Sequence, residues 1–199
     1  MSTLPLVVAI TGASGAPYAV RLLEALVAAD QPTWLIVSGH GQRLLDTETP
    51  FASIEALREH VGASAWDRVI TTFDDGDRGA KPASGSVRTR GMVICPCSMG
   101  TVAAIAHGTS RSLVERAADV VLKERRRLVL VPRETPLSEI HLDNLLRVTR
   151  AGAVVLPAAP GFYHRPTRIE ELVDFVVQRV LDHAGVEHTI ARRWGDGPA

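Results

Sequence analysis

Leu6-Val7-Val8-Ala9-Ile10-Thr11-Gly12-Ala13-Ser14-Gly15-Ala16 reads as an apolar strand, a turn of small residues and the start of a helix. The helical stretch runs from Ala16 to Ala29, with Pro17 in its first turn and Leu22, Leu23, Leu26 and Val27 as an apolar stripe at helical spacing. In such a turn glycines let the backbone approach a ligand. Free N–H groups at the helix N-terminus and the Ser14 hydroxyl can hold an anion or a polar ring edge. The pattern is not Gly-x-Gly-x-x-Gly and lacks the Gly-Lys-Ser/Thr ending of a P-loop, so it indicates neither dinucleotide nor nucleoside triphosphate binding. A connecting turn without a ligand also fits this stretch.

The same alternation continues outward. Thr33-Trp34-Leu35-Ile36-Val37 reads as a buried strand ending at Ser38, whose hydroxyl lies at a strand end or caps the next helix. Gln42–Thr47 and Ser53–His60 read as short helices, with Glu48 in the irregular piece between them, where a carboxylate is ordinarily solvated. Arg68–Phe73 reads as a short strand, and Met92–Cys97 as another that leads into a helix opened by Ser98-Met99-Gly100-Thr101. Ser112–Arg127 reads as a helix whose cationic end, Lys123, Arg125, Arg126 and Arg127, complements the macrodipole. Leu128–Val131 is a buried strand with Pro132-Arg133-Glu134 at its end. His141–Arg150 reads as a helix with Leu142, Leu145 and Leu146 on one face. Ala153–Leu156 is the last strand and Ile169–His183 the last helix. Strands alternating with helices give an α/β fold, a Rossmann-like or flavodoxin-like, mainly parallel sheet with helices on both faces. Ser14, Ser38, Ser98 and Arg133 each follow or close a strand, at the edge where such folds bind ligands.

Composition narrows the function. With 22 Lys and Arg against 22 Asp and Glu over 199 residues, no global field draws nucleic acid or an anionic membrane. No apolar run approaches membrane-spanning length and no signal-like segment opens the chain, so a cytoplasmic location and one domain over 1–199 are expected. Cys95 and Cys97 do not match a Cys-x-x-Cys pair; they read as buried free thiols aimed at opposite faces of a strand. The acidic Asp74, Asp75 and Asp77 open the longest irregular stretch, 74–86, but their order fits no EF-hand, and they read as surface charges.

Taken together, Thr11-Gly12-Ala13-Ser14-Gly15-Ala16, Glu48-Thr49, Pro82-Ala83-Ser84-Gly85-Ser86, Cys95-Pro96-Cys97-Ser98, Glu115-Arg116-Ala117-Ala118-Asp119-Val120, Leu122-Lys123-Glu124-Arg125-Arg126, Val131-Pro132-Arg133-Glu134 and Pro160-Gly161-Phe162-Tyr163-His164 are specific. Over essentially its full length the chain resembles the UbiX-type flavin prenyltransferases. The resemblance implies metal-independent transfer of a dimethylallyl group from dimethylallyl phosphate to N5 and C6 of reduced FMN, so that FMN is a substrate. The product, prenylated FMN, would pass to a UbiD-type decarboxylase. It further implies that Gly12, Ala13, Ser14, Ser38, Ser98, Met99, Gly100, Thr101 and Arg133 hold the flavin, with help from a neighbouring subunit. Ser84, Arg116, Lys123, Glu134, Tyr163 and Arg179 would surround the allyl phosphate.

In this reading the catalytic set is Ser14, Glu48, Lys123 and Glu134. Cations hold the departing phosphate, Glu134 gives or relays its proton, and Ser14 and Glu48 manage the proton at flavin N5. A homo-oligomer, a dodecamer in the family, is implied, with the tail 186–199 at an interface. Where relatives often carry an aromatic residue before the Pro-Ala-Ser-Gly-Ser segment, this chain has Asp77-Arg78-Gly79-Ala80-Lys81. Either another ring such as Trp194 compensates or the prenyl site is more open. Two alternatives belong to other classes: an FMN-dependent cysteine decarboxylase and a non-catalytic flavin carrier or decarboxylase accessory subunit. The first looks for a His in the helix after the first turn, and 16–29 has none. The second needs no acid beside an anion site.

Overall fold

The structure, a computed structural model, describes residues 3–190. Six strands form one parallel sheet: β1 (Leu6–Ile10), β2 (Thr33–Val37), β3 (Ile70–Asp74), β4 (Gly91–Cys97), β5 (Arg127–Pro132) and β6 (Val154–Val155). Their order is β3-β2-β1-β4-β5-β6. The chain therefore builds outward from β1 to β3 and returns to place β4 on the other side of β1. That reversal opens a crevice beyond the carboxyl ends of β1 and β4.

Successive β1 side chains feed two cores. Leu6, Val8 and Ile10 join one apolar cluster, and Val7 and Ala9 the other. The first is completed by α1 (Ala16–Ala28), α2 (Gly39–Glu48), α3 (Ile54–Val61), α4 (Ala63–Val69) and α8 (Ile169–Ala184). The stripe Leu22, Leu23, Leu26 and Val27 of α1 and Val173, Val176, Val177, Val180 and Leu181 of α8 are all buried there. Each such side chain contributes about 1.5–3 kcal/mol when fully removed from water. The second cluster takes Met99, Val102 and Ile105 from α5 (Met99–His107), the inward face of α6 (Leu113–Lys123) and Val148 of α7 (Glu139–Arg150).

Several boundaries differ from the sequence reading for physical reasons. Glu48 is the last residue of α2, not part of an irregular link, because α2 starts at Gly39 behind the Ser38 cap. Arg68 and Val69 end α4, and β3 begins only at Ile70. The helix expected through Arg127 stops at Lys123: Arg125 has φ 55, a left-handed conformation that ends a helix, and Arg127 already belongs to β5. The last strand shrinks to Val154–Val155. On α7, Leu142 and Leu146 are exposed, while Asn144 and Val148 face inward.

Cys95 and Cys97 are free and buried, in opposite cores. Residues two apart in a regular strand share a face; these separate because the β4–β5 register shifts between Ile94 and Cys97. Burial pushes the Cys95 thiol up to about 12. Of the acidic loop residues, Asp74 and Asp77 accept from nearby loop amides, but Asp75 does more than carry surface charge. Its carboxylate accepts from Val114 N at 2.9 Å and its carbonyl from Leu113 N at 2.7 Å, which fixes the start of α6 beside the carboxyl end of β3.

Candidate active site

The crevice is framed by the ends of four strands, β1, β2, β4 and β5. Thr11, buried directly after β1, donates its hydroxyl to Pro96 O at 3.1 Å and accepts from Ser98 N at 2.9 Å, so the ends of β1 and β4 are tied together. Thr11 had no role in the sequence reading; its position at the end of an apolar strand was the available signal. Ser98 caps α5 by accepting from Thr101 N at 3.2 Å, and its hydroxyl lies 3.0 Å from that of Thr101. Met99 N–H and Gly100 N–H are left without an intrahelical acceptor, as at any helix start. On the other side, Ser38 accepts from Gly41 N at 3.1 Å, and its own amide donates to Ile10 O at 3.0 Å. A Cβ at Gly41 would stand 2.4 Å from Ile10 O, so only glycine lets α2 lie this close to β1.

Glu48 closes the first turn. Its Oε2 accepts from Gly15 N at 2.7 Å and Ala16 N at 2.8 Å, so two donors that the sequence reading left open to a ligand at the start of α1 are filled by the chain itself. A carboxylate at a helix N-terminus is electrostatically favoured. Burial pushes the Glu48 carboxyl upward, but hydrogen bonds from the Gly15 amide, the Ser14 side chain and the Ala16 amide, with the Arg133 charge, outweigh it and hold the group below the usual glutamate range. Arg133, just past β5, spans the crevice and donates from Nε to Ser14 O at 3.1 Å. Ser14, Glu48 and Arg133 thus form one cluster at the topological switch point.

A carboxyl depressed in the folded state stabilises above its unfolded pKa, and this contribution is lost as pH falls through the folded value. Glu48→Gln is expected to melt below the wild type at neutral pH, with the difference shrinking as pH falls below the usual glutamate range and through the depressed folded value. Thermal denaturation across that range checks it, and parallel curves would contradict it.

The residues expected around the allyl phosphate fall into separate groups in one chain. Arg116 and Lys123 share the outer face of α6, Arg116 pairing with Asp119 at 2.8 Å and Lys123 Nζ with Glu124 Oε1. Ser84 is beside them, its hydroxyl 3.0 Å from that of Ser86, and a Cβ on the adjoining Gly85 would meet Glu124 Oε1 at 2.5 Å. α6 begins at the carboxyl end of β3 and runs antiparallel to the strands for about 15 Å. Ser84 and Lys123 therefore sit toward the amino edge of the sheet, away from Ser14, Glu48 and Arg133. Tyr163 belongs to the segment after β6, where its ring meets Phe175 of α8 at 5.7 Å, and Arg179 lies one turn further along α8. Glu134 is exposed directly after Arg133, its Oε1 accepting from Thr135 N at 3.2 Å. Trp194 lies outside the described residues.

The three arginines after α6 have structural partners or places. Arg126 donates to Gly85 O at 2.7 Å and Val87 O at 2.8 Å. Arg127, with Arg90, donates to the carbonyls that end α8, His183 O and Gly185 O. With Arg125 these residues line an open cavity of about 550 Å³ at the amino edge.

The family model for Flavoprotein matches residues 1–181. The chain is 50% identical over 195 residues to "Flavin prenyltransferase UbiX" of Pseudomonas aeruginosa, covering 94% of this chain and 92% of that protein. It belongs to the UbiX-type flavin prenyltransferases. Among solved structures, AnUbiX in complex with FMN and dimethylallyl pyrophosphate superposes with a TM-score of 0.89 at 41% identity, covering 99% of this chain and 100% of that one. A dodecameric FMN-dependent UbiX-like decarboxylase from Escherichia coli O157:H7 gives 0.84 at 43% identity, covering 93% and 97%. Among the described residues no helix is long and apolar enough to cross a membrane.

Proposed function

We propose that this chain transfers a dimethylallyl group from dimethylallyl phosphate to N5 and C6 of reduced FMN, making prenylated FMN for a UbiD-type decarboxylase. The observation that carries the reading is the Ser14–Glu48–Arg133 cluster at the switch point of a chain 50% identical to a UbiX prenyltransferase. The crevice suits a flavin phosphate and ring. α5 offers two open backbone donors and two hydroxyls, Ser38 offers a third hydroxyl, and Arg133 supplies a cation already oriented by Ser14 O. Gly12, Ala13 and Gly100 contribute backbone and little bulk, and Met99 contributes its backbone, its side chain being buried in the second core. When bound, reduced FMN supplies the two nucleophilic positions and an aromatic surface.

The chain's own residues do the rest. Heterolysis of the allylic C–O bond leaves its electron pair on the phosphate oxygen, where Lys123, Arg116 and Arg179 oppose the charge and Tyr163 donates a hydrogen bond. Glu134 delivers a proton to that leaving phosphate. Glu48, kept ionised by the α1 amides, and Ser14 beside it hold and move the proton at the flavin N5 position. Because Ser84 and Lys123 sit toward the other edge of the sheet, the reading has them supplied by a neighbouring copy. Exposed Leu137, Ile140, Phe162, Tyr163 and Ile169, all near the carboxyl edge around Glu134, give such a copy apolar surface to cover.

The expected result is stoichiometric phosphate release that requires dimethylallyl phosphate and reduced FMN together. Release with oxidised FMN, or with no flavin, would contradict the reading. The cysteine decarboxylase alternative finds no histidine in α1 to act on its substrate.

A further inference from the structure

We propose that Asp182 and His188 form a positioning pair for Arg179, holding its guanidinium toward the site where the donor phosphate binds. The proposal rests on the assignment of Arg179 to that phosphate. Phe175, Arg179 and Asp182 are spaced four and three residues apart, so they lie along one face of α8. At the upper end of that face the Phe175 ring packs against Tyr163 and stacks on His164. Helical side chains lean toward the helix N-terminus, so Arg179 leans toward this aromatic group and Asp182 toward Arg179.

The contacts continue in order. Asp182 Oδ2 lies 3.8 Å from Arg179 Nη1, and Asp182 Oδ1 lies 3.2 Å from His188 Nε2. Side-chain exposure falls along the same line, from 54% at Arg179 through 18% at Asp182 to 4% at His188. The anchor is buried, the bridge is mostly covered and the working end faces solvent. Gly185, with φ 70, ends α8 and turns the chain back, and Val186 N donates to Leu181 O. This return brings His188 alongside the helix that carries Asp182. A carboxylate only accepts, so the ring donates from Nε2, while Nδ1 is buried and without a hydrogen-bond partner among the described residues.

An exposed arginine samples many rotamers, and each binding event must order it. A carboxylate whose own rotamer is fixed by a buried imidazole removes part of that cost and directs the guanidinium. Truncating the pair should therefore weaken donor binding while leaving flavin binding alone.

The test is steady-state kinetics with dimethylallyl phosphate on Asp182→Asn, His188→Leu, His188→Gln and Arg179→Ala, alone and with Asp182→Asn added to Arg179→Ala, alongside FMN affinity and melting temperature. Asp182→Asn and His188→Leu are expected to raise the donor KM about tenfold with little change in kcat and none in FMN affinity. His188→Gln, whose amide can still donate to Asp182, should stay near the wild type, and Asp182→Asn should add nothing once Arg179 is gone. If Arg179→Ala leaves the donor KM unchanged, the assignment of Arg179 falls, and the proposal with it. If Arg179→Ala raises KM but the Asp182 and His188 variants lower only the melting temperature, or His188→Gln fares no better than His188→Leu, the pair merely closes the end of α8.

Discussion

Glu134→Ala is expected to keep FMN binding and to slow product formation by about 10²–10⁴-fold, the span a positioned proton donor contributes. The side chain follows Arg133 at the carboxyl end of β5, is exposed, and among the described residues accepts a hydrogen bond from the Thr135 amide alone. Its removal therefore costs the fold little, and the loss should lie in kcat. In the proposed reaction the leaving group is a phosphate, which departs more readily once protonated; a more acidic leaving group should recover part of the lost rate. Single-turnover kinetics with wild-type and variant enzyme checks both, and an unchanged rate would remove Glu134 from the chemistry.

Mixing two inactive variants should give the second large effect. Lys123→Ala and Glu134→Ala homo-oligomers are each expected to be nearly inactive, whereas co-assembled chains should regain a substantial fraction of wild-type activity. Lys123 extends from the far end of α6 and Glu134 from the carboxyl edge of the sheet, so a site using both takes them from different copies. In mixed assemblies some sites then combine an intact lysine with an intact glutamate. Activity in a co-expressed, tag-selected mixture measures this, and a mixture no better than its parents would mean that both groups act from one chain.

The fold was largely legible because its strands are continuous apolar runs; β1 and β2 match the pattern residue for residue. What failed was local. α4 is a seven-residue helix behind Gly62 with too few turns for a clear period, and its end was taken into β3. The run Lys123–Arg127 favours a helix by propensity, but Arg125 adopts the left-handed conformation there and the chain turns into β5. In the candidate site, Ser14, Ser38, Ser98 and Arg133 were visible as strand-end residues. Glu48 was not visible from the pattern, because its contacts with Gly15 and Ala16 join positions more than thirty residues apart and α2 has little apolar periodicity to announce its length. The Asp182–His188 contact depends on the turn at Gly185 and likewise has no linear signature.

The most direct measurement is the mass of the flavin after anaerobic incubation of purified protein with reduced FMN and dimethylallyl phosphate, without added metal. The account predicts a flavin heavier by one isoprene unit, formed by the wild type and hardly at all by Glu134→Ala. FMN that binds but is recovered unmodified, with the diphosphate donor as well, would contradict it and leave the chain a flavin carrier.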